Sequence, residues 1–225
     1  MLFDLQSRGR KNVVKIIYTG LAVLMGAGFL LFGVGTGVGG GGLFDIFNGG
    51  TTASSQISAA EKSAQRAVHR DPQDAQAWAK LTRARFQGAD FDTTQNAYTE
   101  DGLVKLRSAA TAWQKYLALQ PKHPDPAVAG MMANAYSETG LNQPTEAAIA
   151  QEIVAQVRPS SATFGQLALF AYAANQSRKG DLAAQKAVQL TPKPQRTVVE
   201  QRLKTARRQI ARERAQNAPT PATRG

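Results

Sequence analysis

His69 and His123 are the only two side chains in this 225-residue chain whose ordinary pKa lies near neutrality, and so the first to consider as a general base. His69 precedes Arg70-Asp71-Pro72 at the end of a helical pattern, and His123 lies in the proline-bounded stretch Pro121 to Pro126. Each reads as a helix-end or loop residue rather than a base. There is no cysteine, which removes thiol nucleophiles, disulfide frameworks, iron-sulfur clusters and cysteine-ligated zinc. Glu61, Glu138, Glu146, Glu152 and Asp181 fall where a helical pattern would leave them solvated. No G-x-S-x-G elbow, phosphate loop or H-E-x-x-H occurs in the sequence. One formal match to chemistry remains, Gly35-Thr36-Gly37-Val38-Gly39-Gly40, which has the dinucleotide-binding G-x-G-x-x-G spacing. That fingerprint works between a strand and a helix whose N-terminus receives a pyrophosphate. Here it follows a long apolar run and continues to Gly49-Gly50-Thr51-Thr52, so it reads as a flexible tether. No catalytic residue, metal-ligand set, cofactor or small-molecule substrate is expected, which leaves binding.

The elements that would carry a binding surface begin with an anchor. Ile16 to Val34 is a run of 19 residues without a charge. At about 1.5 Å per residue a helix of that length roughly matches the hydrocarbon thickness of a bilayer. A transmembrane helix is expected over 13–36, with Ile16, Ile17, Leu21, Leu24, Phe29, Leu30, Leu31 and Phe32 as its lipid-facing bulk. A buried helix of a soluble protein and a cleaved signal are the competing readings, although the run exceeds a typical signal core. Arg8, Arg10, Lys11 and Lys15 precede the run and predict a cytoplasmic N-terminus over 1–12. The chain beyond a Gly-rich linker, 37–53, is then expected outside the cytoplasm, on the outer side of a bacterial inner membrane. Within the linker, Leu43-Phe44-Asp45-Ile46-Phe47 is a short amphipathic patch suited to a membrane boundary.

The formal charge of +11 invites a nucleic-acid reading, and its distribution argues against one. Residues 1–38 carry a net +3 and residues 193–225 a net +7, which leaves +1 for the body between them. Phosphate affinity needs cations gathered on one folded face, and the body lacks that excess.

From Ser54 onward alanine-rich helical periodicity dominates, without period-two alternation, and prolines close the helical runs. The fold class is therefore all-α. Ala60, Ala64, Ala67 and Pro72 are spaced 4, 3 and 5 apart, and the spacing returns at Ala109, Trp113, Tyr116 and Pro121. It recurs at Ala147, Gln151, Val154 and Pro159, and again at Gly180, Ala184, Ala187 and Pro192. Trp78 and Leu81 follow Pro72, Ala129, Met132, Ala133 and Tyr136 follow Pro121, and Phe164, Leu167 and Ala168 follow Pro159. On these residues, 54–192 resembles the tetratricopeptide (TPR) repeat family, whose second helix carries the spaced small or aromatic positions and whose closing turn carries the proline. The resemblance implies an α-solenoid of about three helix pairs sharing one core. Proline-to-proline distances of 49, 38 and 33 place an insertion near Gly88 to Gly102, where loop-forming residues accumulate. Trp78, Trp113, Tyr116, Met131 and Met132 then read as packing. Residues 193–216, with Val199, Leu203, Ala206 and Ile210 on one stripe among Arg and Lys, read as a basic amphipathic capping helix, and 217–225 as a tail without regular structure. The same helix is also suited to anionic lipid or an acidic partner.

In TPR proteins peptides lie along the first helices of successive pairs. Carried over position by position, the resemblance implies a groove of Arg83 and Phe86, Asn134 and Ser137, and Leu169 and Tyr172. The positions that clamp a peptide carboxylate in some family members are here Ala79, Gly130 and Gly165, so no clamp is expected. Anchor, tether and short repeat domain together are similar in architecture to the YfgM-like accessory proteins of the bacterial Sec translocon. That likeness implies a non-enzymatic adaptor or holdase whose partners are translocon subunits, a membrane chaperone or exported polypeptides, with nucleic acid not expected. The rival expectation is a scaffold for an envelope complex serving wall synthesis, division or cytochrome maturation.

Overall fold

The computed structural model describes residues 50–217, with side chains from 56 to 216. The expected membrane span 13–36, its eight named apolar residues and the amphipathic patch therefore lie outside the described residues. Among the described residues, no helix is long and apolar enough to cross a membrane.

Eight α-helices follow one another: α1 (Gly50–Arg70), α2 (Ala75–Gln87), α3 (Glu100–Ala118), α4 (Pro126–Ala135), α5 (Pro144–Val157), α6 (Ser161–Ala173), α7 (Ser177–Leu190) and α8 (Arg196–Asn217). A single 3₁₀ turn, Lys193–Gln195, precedes the last. The starts follow local chemistry. The Asp74 carboxylate accepts from the Gln76 amide, the Thr99 hydroxyl from Gly102, and Asp125 from both Ala127 and Val128. Ser160 and Thr163 form a reciprocal capping box ahead of α6. Each cap satisfies amides that have no partner inside the helix.

The helices pair as α2 with α3, α4 with α5 and α6 with α7, and successive pairs pack on one another in a solenoid-like array. Most of the repeated positions lie in the core: Ala64, Ala109, Trp113, Tyr116, Ala147, Gln151, Gly180 and Ala187 are buried and Ala67, Val154 and Ala184 partly so, whereas Ala60 is exposed. So many alanines in these positions let helix backbones approach closely. Leu106, Val128, Met132 and Tyr136 fill the centre. A smaller cluster of Ala64, Val68, Ala77, Leu81 and Ala112 fastens α1 to the first pair. At the other end Leu203 is buried, with Val199 and Ile210 packed against the same core, so α8 covers the third pair as a cap.

Polar joints fix the pairs. Asp125 caps α4 while its second oxygen accepts from Arg83 Nη2 at 3.0 Å, and its amide donates to the Tyr116 hydroxyl at 2.7 Å. The buried Gln151 amide donates to the Thr163 carbonyl at 3.0 Å and links α5 to α6.

Three features differ from the sequence reading. The insertion near Gly88 to Gly102 carries a short antiparallel hairpin, β1 (Phe91–Asp92) with β2 (Ala97–Tyr98), joined through Asn96 at φ 51°. Its rings of Phe91 and Tyr98 meet edge to face at 5.0 Å, an attraction that two-residue strands cannot announce as alternation. Helix α1 begins at Gly50, inside the expected linker, because extending a formed helix needs only a propensity cost of about 1 kcal/mol at a glycine. Glu61, read as solvated, is 19% exposed and held between Lys105 Nζ at 2.8 Å and Arg85 Nε at 3.3 Å. An acidic residue on an otherwise apolar helix face finds its neutralising partners across the interface.

Candidate protein-binding surface

The six residues expected to line a groove fall into two groups. Arg83, Asn134, Ser137 and Leu169 are partly exposed. Phe86 and Tyr172 are instead 8% and 6% exposed, in the core. Both close the last turn of a first helix, where the side chain folds back onto the hairpin: Phe86 joins the main apolar cluster and Tyr172 packs over Gly180 of α7. The Tyr172 hydroxyl donates to Asp181 at 2.9 Å, and Arg207 of the cap lies 5.5 Å above its ring. Burial, the hydrogen bond to Asp181 and that carboxylate's charge push the Tyr172 hydroxyl up to about 12, with Arg207 opposing.

Nor do the six positions share one wall. Arg83 and Asn134 sit on α2 and α4, which pack together, and Arg83 is engaged by Asp125. Helices α4 and α6 scarcely touch, because α5 packs against both. Leu169 is thereby set apart from Asn134 and Ser137. At the carboxylate-clamp positions, Ala79 is buried, whereas a Cβ on Gly165 would meet nothing within 4 Å. Backbone, rather than charge, forms the surface there.

The sequence did not point to the concave feature that the helices do form. A cleft of about 790 Å³ opens between α5, α6 and α7. Phe164, Leu167 and Ala183 give it an apolar floor, Leu182 stands on its wall at 59% exposed, and Glu152 and Lys179 pair across it at 2.7 Å. Asn175 and Gln176 close one end, with Asn175 at φ 61°, and the Gln176 Oε1 is buried without a partner among the described residues. The same Asn-Gln dipeptide, with Asn142 at φ 50°, turns α4 into α5, so the turn is a repeat of the array and does not single out the cleft. An apolar floor with a polar, charged rim suits a polypeptide side chain better than a free ion. Among the described residues, no three His, Asp or Glu side chains are grouped to hold a metal ion.

No protein-family model matches this chain, and comparison with curated proteins gives no match.

Proposed function

We propose that the protein is a non-enzymatic, membrane-tethered adaptor or holdase that binds polypeptide on a TPR-like helical array. The observation that carries this reading is the cleft beside α6, where the partly exposed Phe164 and the exposed Leu182 offer apolar surface above the buried Leu167, within a charged rim. Burial of such surface by an incoming chain contributes roughly 25 cal/mol per Å² before ordering costs. The partly exposed Asn134 near the end of α4 and Ser137 in the turn after it add a second, polar contact surface. With residues 13–36 as a membrane span, the array works outside the cytoplasm of a bacterial inner membrane. Its partners are then exported polypeptides, Sec translocon subunits or a membrane chaperone. The span rests on the uncharged run Ile16 to Val34 and the four cations before it.

A photo-reactive residue at Asn134, and a second at Leu182, tests this in living cells with the full chain, the adducts being read by mass spectrometry after mild-detergent purification. The adaptor reading expects translocon subunits, chaperones and a spread of secreted clients. A single folded envelope protein in stoichiometric amount would replace it with a scaffold role in wall synthesis, division or cytochrome maturation. A reporter fused after Gly225 and active only in the cytoplasm would sink the proposed topology.

A further inference from the structure

The charge of the described array is concentrated at one end. Residues 54–160 hold eleven Lys and Arg against eleven Asp and Glu, and residues 161–217 hold eleven against three. The excess is unevenly occupied. Arg207 is paired with Asp181 at 2.8 Å, Lys204 with Glu200 at 2.6 Å, and Arg214 donates to Asn175 at 2.6 Å. Arg196 is spent on the carbonyls of Thr191 and Gln189. Arg202, Arg208 and Arg212 are exposed and have no ion-pair partner among the described residues. Arg208 and Arg212 lie opposite the stripe of Val199, Leu203, Ala206 and Ile210 that packs inward, and Arg202 is exposed on its flank, so the cap presents a cationic outer surface. At the N-terminal end of the same helix, Val198 in its first turn is 59% exposed, and Leu190 at the end of α7 is 39% exposed. Lys193 lies in the turn between them.

Unpaired arginines on an amphipathic helix, with exposed aliphatic side chains at one end of it, are the combination that holds a helix at an anionic interface. Arginine side chains answer phosphate with parallel N–H donors. We infer that the outer face of α8, with the α7–α8 turn, docks on the phosphate-bearing surface of an anionic phospholipid bilayer. Bilayer is favoured over nucleic acid because the exposed aliphatic pair Leu190 and Val198 has a use at a lipid boundary that a phosphate backbone does not offer. The inference also draws on the tether reading, which keeps a bilayer within reach and lets a modest affinity suffice.

The chain has no cysteine, so a single introduced thiol reports one position. The full-length protein carrying Gln201→Cys on the outer face is labelled with a fluorophore and mixed with vesicles that contain a headgroup quencher. Vesicles of phosphatidylcholine are compared with vesicles containing about one third phosphatidylglycerol. Quenching is expected to rise several-fold with phosphatidylglycerol and to collapse at high salt. In Arg202→Gln/Arg208→Gln/Arg212→Gln its lipid-dependent part should fall at least tenfold, since each cation near such a surface is worth about fivefold in partitioning. The same dye at Gln65→Cys, on exposed surface of α1, should not respond. Equal quenching in the two lipids, an unchanged signal in the triple variant, or a response to RNA or an acidic protein instead of phosphatidylglycerol would overturn the inference. Flotation with pure phosphatidylcholine vesicles at high salt tests the tether separately, because it needs the apolar run and not α8.

Discussion

A Cβ placed on Gly180 would overlap the Cδ1 and Cε1 atoms of the Tyr172 ring. Gly180 is buried in the first turns of α7, where α6 presents that ring, so the two helices meet only because one position has no side chain. Alanine at 180 gains about 1 kcal/mol of helix propensity and meets an overpacking cost of about 1–3 kcal/mol. The overlap should win, because the ring is also fixed by Asp181 and Arg207. Gly180→Ala is therefore expected to lower stability by roughly 1–2 kcal/mol in urea unfolding, and to be neutral or stabilising in a Tyr172→Ala background. A single variant as stable as the parent would show that the ring moves aside freely.

Tyr136 poses the opposite problem. Its ring is 1% exposed, yet its hydroxyl is buried without a hydrogen-bond partner among the described residues. Burial first, and then the charge of Glu146, push the hydroxyl up to about 12. Tyr136→Phe removes the unsatisfied group and should leave stability at pH 7 unchanged or raise it by up to about 1 kcal/mol. The sign with pH follows from proton linkage. The unfolded chain loses this proton near 10 and the folded one near 12, so the stabilisation is complete below pH 10 and drains away as pH climbs toward 12. Part of that alkaline loss should vanish in Tyr136→Phe, and more in the double variant with Tyr172→Phe. Unfolding curves that fall in parallel between pH 9 and about 11.5 would count against the assignment.

These two tyrosines also show how far the sequence could be read. The inward positions were legible because Ala109, Trp113 and Tyr116, and their counterparts in later pairs, repeat a spacing that only a buried helical face maintains. Outward positions have no such rule. Phe86 and Tyr172 were placed on a groove by carrying over a family register, but a long side chain in a helix's last turn can reach back into the hairpin, and both do. The cleft was invisible for a related reason. It arises where α5, α6 and α7 meet, a property of helix packing rather than of any one segment. Two-residue strands such as β1 and β2 carry no periodicity at all.

Asp125 joins three helices, and its two oxygens do different work. Oδ1 accepts from the amides of Ala127 and Val128, whereas Oδ2 accepts from Arg83 across the α2–α4 contact. Loss of an N-cap costs about 1 kcal/mol, and a pair whose side chains are 42% and 37% exposed contributes a few tenths at most. Asp125→Ala should therefore destabilise by roughly 1–2 kcal/mol, while Asp125→Asn, which still caps, should stay within about 0.5 kcal/mol of the parent. Equal losses in the two variants, measured by urea unfolding, would assign the effect to the ion pair and not the cap.

Glu61 is the one acidic residue that ties α1 to the first pair, reaching Arg85 on α2 and Lys105 on α3. Partial burial pushes its carboxyl up, but the hydrogen bonds and positive charges of Lys105 and Arg85 outweigh that and hold it below the ordinary 4.5. Because the folded value is depressed, the stabilisation is fully present above pH 4.5 and is lost as pH falls through the lower folded value. Glu61→Gln is expected to cost about 1 kcal/mol or less at pH 7, given the partial exposure of the group. The gap should stay constant above pH 4.5 and close as pH falls below it. Among the described residues, the small cluster of Ala64, Val68 and their neighbours otherwise holds α1, so the loss should concentrate there. Hydrogen exchange of α1 amides ought to quicken in the variant while the α6 and α7 amides keep the parent rate. A gap that persists unchanged however far the pH falls below 4.5, or exchange that quickens equally in all helices, would mean that Glu61 stabilises the array by something other than its two cations.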